Sequence, residues 1–169
     1  QFDLNNLNSD NISIIGNFPF NISSLILFRI LQYRDKVDYC CGMFQKEVAE
    51  RVASPPGNKE YGLTSVLMQA FFDLKYLFTI NETVFRPQPK VKSGVLEIKR
   101  NLQKTPDCNT ELFFKIVKAA FNQRRKTLRN SLKAYLPENI RHQEVFSKRP
   151  EQLRYKDFEK IVNLIETKD

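Results

Sequence analysis

A short β-branched run, Ile12-Ser13-Ile14-Ile15, stops at Gly16-Asn17-Phe18-Pro19-Phe20-Asn21-Ile22-Ser23, and a long apolar run, Leu25 to Leu31, follows. Proline cannot continue a strand ladder, so the pattern predicts a strand, a sharp corner and a helix. Ser23 or Ser24 is placed to cap that helix. In an open α/β sheet such corners lie at the carboxyl ends of the strands, where ligands bind. Asn17, Pro19 and Phe20 suit a flat ring bearing an exocyclic amine. The Asn17 amide oxygen and the Pro19 carbonyl can accept hydrogen bonds, and Phe20 offers a stacking face.

The pattern repeats down the chain. Val37 to Phe44 reads as a central strand, Gln45 to Val52 as a helix, and Ser54-Pro55-Pro56-Gly57 as its breaker. Leu63 to Phe72 reads as an apolar helix and Leu74 to Ile80 as a strand. Phe85-Arg86-Pro87-Gln88-Pro89-Lys90 is an extended loop, because its prolines forbid regular pairing. Gly94 to Ile98 closes with a strand. Alternating strands and helices predict a mostly parallel sheet, with the last two strands antiparallel at one edge. Phe85 would share the mouth with Phe20, so the two rings could sandwich one base. The bland alternative is a structural edge loop.

After residue 100 every pattern is helical. Leu112, Phe113, Ile116, Val117, Ala120 and Phe121 share a face; Leu128, Leu132 and Leu136 repeat at one-turn spacing; Phe158, Ile161, Val162 and Ile165 form a last amphipathic stretch. Residues 1–100 are therefore expected to form an α/β unit and residues 101–169 a small all-α unit docked on it.

Charge follows the same division. The net charge is +8; residues 1–99 carry 11 Lys and Arg against 10 Asp and Glu, residues 100–169 carry 16 against 9. The surplus concentrates in Gln123-Arg124-Arg125-Lys126-Thr127-Leu128-Arg129-Asn130-Ser131-Leu132-Lys133. On a continuous helix Arg125, Arg129 and Lys133 would align on one face, a row able to track phosphates. A solvated basic face is the alternative, but residues 123–136 hold no acidic side chain to balance it.

Several chemistries are argued against. A single histidine, His142, and the absence of a Cys-x-x-Cys pair leave no zinc spacing and no histidine-dependent hydrolase. Three cysteines, two of them adjacent in an apolar run, indicate a reducing compartment. The polar, Asn-rich N-terminus lacks a signal-peptide pattern, and no apolar run approaches the ~20 residues of a membrane span. A cytoplasmic protein with no membrane partner and no metal is expected. Glu47 and Glu50 are spaced for ion pairs along a helix face.

Five segments, in order, resemble the ribosomal RNA adenine dimethyltransferases, the small-subunit enzymes whose loss gives kasugamycin resistance. They are Asn17 to Ser23, Gln45 to Arg51, Tyr61 to Val66, Phe85 to Ser93, and Phe121 to Leu132. The Asn-Phe-Pro form and the Lys-Arg-Pro-Glu-Gln-Leu segment at Lys148 resemble Bacteroidetes-type sequences. The resemblance implies the C-terminal half of a Rossmann-like, S-adenosylmethionine-dependent methyltransferase sheet followed by a helical RNA-binding domain. It implies transfer of methyl groups from S-adenosyl-L-methionine to N6 of two adjacent adenosines near the 3′ end of small-subunit rRNA, in an immature 30S particle, by a monomer. Asn17, Pro19 and Phe20 would be the catalytic corner, with Asn17 also touching the cofactor. Phe20 and Phe85 would stack the base. Arg124, Arg125, Lys126, Arg129 and Lys133 would face RNA. The family usually carries Tyr where Phe20 stands. Its glycine-rich loop and acidic cofactor contacts are expected upstream of Gln1, so the chain alone is expected to bind the cofactor poorly and to hold about half of the sheet. A non-catalytic ribosome-assembly factor on the same fold, and a large-subunit rRNA adenine methyltransferase, are the competing readings.

Overall fold

The computed structural model describes residues 3–7, 9 and 11–167. The strand end or loop expected over residues 1–10 therefore lies partly outside the described residues; within it Leu4–Asn6 forms a single 3-10 turn. The remaining elements are β1 (Ile12–Asn17), α1 (Ser23–Gln32), β2 (Val37–Gln45), α2 (Lys46–Ala53), α3 (Leu63–Gln69), β3 (Phe72–Ile80), β4 (Ser93–Arg100), α4 (Thr110–Asn122), α5 (Leu128–Ser131) and α6 (Tyr155–Glu166), joined by short 3-10 turns.

The four strands lie in the order β1-β2-β4-β3. β1 and β2 are parallel; β4 pairs antiparallel with β2 on one side and with β3 on the other. The alternation of elements predicts more parallel pairing than is found. The crossover through α2 and α3 does leave β3 pointing the same way as β2, but it skips one position, and β4 returns through the gap. The antiparallel pairing expected of the last two strands is present in full register from Phe72↔Arg100 to Ile80↔Ser93, with one bulge between Tyr76 and Phe78.

Three local expectations are corrected. The apolar run from Leu63 divides after Gln69, and Phe72 opens β3. Both pieces are buried, and a run buried all round has no period to separate helix from strand. α1 has no side-chain cap: Ile22 occupies the capping position, and Ser23 sits inside the helix with its hydroxyl donating to the Phe20 carbonyl at 3.0 Å. The helix expected over 128–136 is regular only from Leu128 to Ser131 and continues as turns. Its leucines are nonetheless core: Leu128, Leu132 and Leu136 are all buried.

Caps and breakers fall where the side chains permit. Gly57, at φ +84°, ends the Ser54-Pro55-Pro56 breaker in the left-handed region that suits glycine. Ser65 accepts from the Gly62 amide at 2.9 Å and donates to the Arg51 carbonyl, tying the start of α3 to α2. Asn109 accepts from the Leu112 amide at 3.0 Å, and Asp157 from the Arg154 amide at 2.8 Å, opening α4 and α6. Glu47 pairs with Arg51 at 2.7 Å, and Glu50 with Lys46, as their spacing predicts.

The core is continuous. One face of the sheet (Cys40, Phe44, Leu96, Ile98) packs against α1 to α3, and α3 in turn packs on α4 and α6. Phe113, Phe146, Phe158, Ile161 and Val162 belong to the same buried cluster as Leu27 and Phe72. Burial pushes the Cys40 thiol up to about 12, as fits a small core side chain. On the other face Ile15 is 82% exposed, and Tyr39 donates to Glu97 at 3.1 Å. Among the described residues no helix is long and apolar enough to cross a membrane.

Phe158 tests the shared core. It is fully buried, with its ring centroid 6.3 Å from that of Phe121. Phe158→Ala should cost about 3–5 kcal/mol in denaturant unfolding. Because the sheet and the helices share one core, the loss should appear as one earlier transition seen alike by near- and far-ultraviolet circular dichroism.

Candidate functional site

At the carboxyl ends of β1 and β2 lies a pocket of about 220 Å³ lined by Asn17, Phe18, Pro19, Phe20, Phe85, Pro87, Pro89 and Ser93. Asn17 is the last residue of β1, in register with Met43, and the Phe18 amide extends the ladder by donating to the Met43 carbonyl at 3.2 Å. Pro19 then breaks the strand. Its carbonyl accepts from the Ile22 amide at 3.2 Å, within the 3-10 turn Phe20–Ile22. A carbonyl oxygen has two lone pairs, so one remains for a ligand. Asn17 and Pro19 are exposed at the mouth, while Phe20 and Phe85 are half-buried.

The loop between β3 and β4 brings the second wall. Asn81 accepts from the Thr83 amide at 3.3 Å, starting a 3-10 turn over Glu82–Val84 that delivers Phe85. The Arg86–Pro87 peptide bond is cis. Phe20 and Phe85, from elements far apart in sequence, thus line one pocket with Asn17 and Pro19. At about 220 Å³ this space is below the roughly 300–1,000 Å³ of drug-sized ligand sites. It suits one flat ring.

Phe18 has a role that the sequence reading missed. Its ring lies across the sheet, 4.9 Å from the Phe44 ring, in space left open by glycine. A Cβ at Gly42 would sit 2.2 Å from Phe18 Cε2 and 2.9 Å from the Gly16 carbonyl oxygen. Gly42 is required for this close approach, and through Phe18 it fixes the residues on either side, Asn17 and Pro19. A glycine inside a strand is the signal that could have pointed to it. Ser93, fully buried at the start of β4, is the other lining residue the sequence reading passed over.

The basic segment departs from its expected geometry. α4 ends at Asn122, residues 123–126 turn, and α5 begins at Leu128, so Arg125, Arg129 and Lys133 do not form one helical row. The break has a local cause: the Leu128 amide bonds to the Lys148 carbonyl at 2.9 Å, which anchors α5 to a later loop rather than to α4. Arg124 donates to the Lys59 carbonyl, and Arg129 to the Arg141 carbonyl at 3.0 Å. Arg125, Lys126, Arg129 and Lys133 remain exposed. Arg124, Arg125 and Lys126 line a shallow hollow with Phe121, Asn122 and Gln123.

The fold is that of the α/β methyltransferases. It superposes on a dimethyladenosine transferase from Plasmodium falciparum with a TM-score of 0.79, at 22% identity, covering 92% of this chain and 66% of that one. A 23S rRNA methyltransferase, ErmE, gives a TM-score of 0.66 at 19% identity, covering 91% of this chain and 66% of that one. Within this class, all of residues 1–169 match the family described as ribosomal RNA adenine dimethylase, and the chain belongs to that family. Proteins named ribosomal RNA small subunit methyltransferase A are similar to it. The one from Cytophaga hutchinsonii is 53% identical over 167 residues, 98% of this chain and 65% of that protein. The one from Flavobacterium johnsoniae is 54% identical over 155 residues, 91% of this chain and 59% of that protein. The chain thus spans less than two thirds of the length of these relatives.

Gly42→Ala should push the Phe18 ring aside and cost about 1–3 kcal/mol in thermal or denaturant unfolding. Adding Phe18→Leu to Gly42→Ala should recover part of that loss, a coupling that two independent sites would not show.

Proposed function

We propose that this chain is the acceptor-holding part of an enzyme that dimethylates N6 of two adjacent adenosines near the 3′ end of small-subunit rRNA, with S-adenosyl-L-methionine as methyl donor and an immature 30S particle as substrate. The observation that carries the reading is the pocket itself: Asn17, Pro19, Phe20 and Phe85 line one small space. The names of the similar proteins from Cytophaga hutchinsonii and Flavobacterium johnsoniae support the small-subunit substrate.

The target adenosine leaves its helix and enters the pocket edge-first, as base-modifying enzymes require. Phe20 and Phe85 stack its faces. The Asn17 amide oxygen and the free lone pair of the Pro19 carbonyl accept the two N6 hydrogens, aiming the nitrogen lone pair out of the ring plane toward the donor. Each methyl gained is matched by one N6 proton given up to solvent, so after one transfer the amine keeps one N–H, and one of the two acceptors holds it for the second. Among the described residues the lining holds no ionisable side chain, so positioning and fixed dipoles carry the rate.

Bound S-adenosylmethionine supplies an electrophilic methyl group. Of the lining residues Asn17 is the one that would face it, and the pocket has room for the acceptor base rather than for both partners. The exposed cations Arg125, Lys126, Arg129 and Lys133, with Arg124, would hold phosphates of the rRNA.

Asn17→Ala tests the corner. Asn17 is exposed, so folding should be nearly unchanged. Methyl transfer by the full-length protein to unmethylated small subunits should fall about 10²–10³-fold, as when one preorganised polar group is removed from an active site. Unchanged turnover would overturn the assignment. Phe85→Ala should remove one stacking face, worth about 1–3 kcal/mol, and weaken particle binding or transfer by about 5- to 160-fold.

A further inference from the structure

Among the described residues, Asn17 and Ser93 supply the polar side chains of the pocket; the other lining side chains are Phe or Pro. Ser93 is fully buried, and its hydroxyl has no hydrogen-bond partner among the described residues. Its backbone is held on both sides, opposite Gln45 of β2 and Ile80 of β3, so the side chain cannot move away by shifting the strand. The prolines at 87 and 89, on the facing loop, have no amide hydrogen to offer it. A residue that lines a cavity while its buried hydroxyl is unused by the fold calls for a partner from outside the fold, an ordered water or a bound ligand.

We infer that Ser93 is a base-orienting residue whose hydroxyl donates to a ring nitrogen flanking the adenine amine, N1 or N7. The inference rests on the proposed adenosine pocket. Asn17 and Pro19 both engage the same exocyclic nitrogen. Two bonds at one atom grip one edge of the ring, and the first methylation removes one of them, which leaves in-plane rotation between Phe20 and Phe85 weakly restrained. A third bond, to a different atom of the ring, stops that swing. Both ring nitrogens beside the adenine amine are acceptors, and a serine hydroxyl can donate to either.

The test uses the full-length protein and small-subunit particles in which the acceptor adenosine is replaced by its 1-deaza, 3-deaza or 7-deaza analogue. With ordinary adenosine, Ser93→Ala should lower single-turnover methyl transfer about tenfold, the loss expected for one neutral hydrogen bond. Its melting temperature should be equal to or above that of the parent, because the hydroxyl removed has no partner in the fold. The parent should lose about tenfold on either the 1-deaza or the 7-deaza substrate beyond any loss that Ser93→Ala shows on the same substrate, and the 3-deaza substrate should affect both proteins alike. Three results would overturn the inference: parental transfer by Ser93→Ala, equal deaza penalties in both proteins at every position, or a fall in rate matched by a fall in melting temperature. Failure of the parent to methylate adenosine at N6 would instead refute the proposed function on which the inference depends.

Discussion

Placement of the Phe18 ring over Gly42 is the contact on which the pocket depends. Asn17 ends a strand and Pro19 begins a turn, so nothing in the local backbone alone would fix the angle between them. Phe18, seated against Phe44 in the space of two missing side chains, fixes it. The ladder bond from the Phe18 amide to the Met43 carbonyl fixes the depth. The corner is therefore set by β2, its parallel neighbour, and not by the loop it belongs to. A polar group that must meet a reacting atom within a fraction of an ångström benefits from such support on rigid elements.

The opposite wall is held by different physics. Phe85 rides on a loop rich in proline, with the 3-10 turn at Glu82–Val84 on one side and β4 on the other. β4 is a central strand, hydrogen-bonded to both β2 and β3. The loop's two ends are thus anchored to the same sheet that positions Asn17. That common anchor brings two aromatic rings sixty-odd residues apart in sequence into one small space.

Much of this was legible in the sequence, for identifiable reasons. The strand-corner-helix at Ile12 to Leu31 was readable because β-branched residues and a proline give opposite, local instructions. The meeting of Phe20 with Phe85 followed from topology: strand ends of one sheet share a mouth. The shape of the basic segment is not legible, because leucines at one-turn spacing satisfy a short helix with following turns as well as they satisfy a long helix; the bond from Leu128 to the Lys148 carbonyl separates the two. The end of the helix that starts at Leu63 is not legible either, because burial on all sides erases periodicity. Ser93 was invisible as a site residue, since a lone serine at a strand start has no pattern. Its meaning comes from burial and from the lack of a partner, which no sequence records.

Charge and pocket divide the work of recognition in the proposed reaction. Among the described residues the pocket lining contains no charged side chain, while the exposed cations Arg125, Lys126, Arg129 and Lys133 sit after residue 122. Attraction to phosphates by exposed cations is screened over about 8 Å at physiological salt, so it gathers the RNA without telling one base from another. Stacking and hydrogen bonds inside the pocket act over contact distance and distinguish an adenine amine from a carbonyl. The two can cooperate only if their separation is fixed. The continuous core, from the sheet through α3 to α4 and α6, fixes it. A helical segment joined by a flexible linker would hold the same phosphates and leave the base free to miss the pocket. In the proposed reaction, burial of Phe158 and its neighbours would therefore be part of how the site selects its target, although none of them lines the pocket.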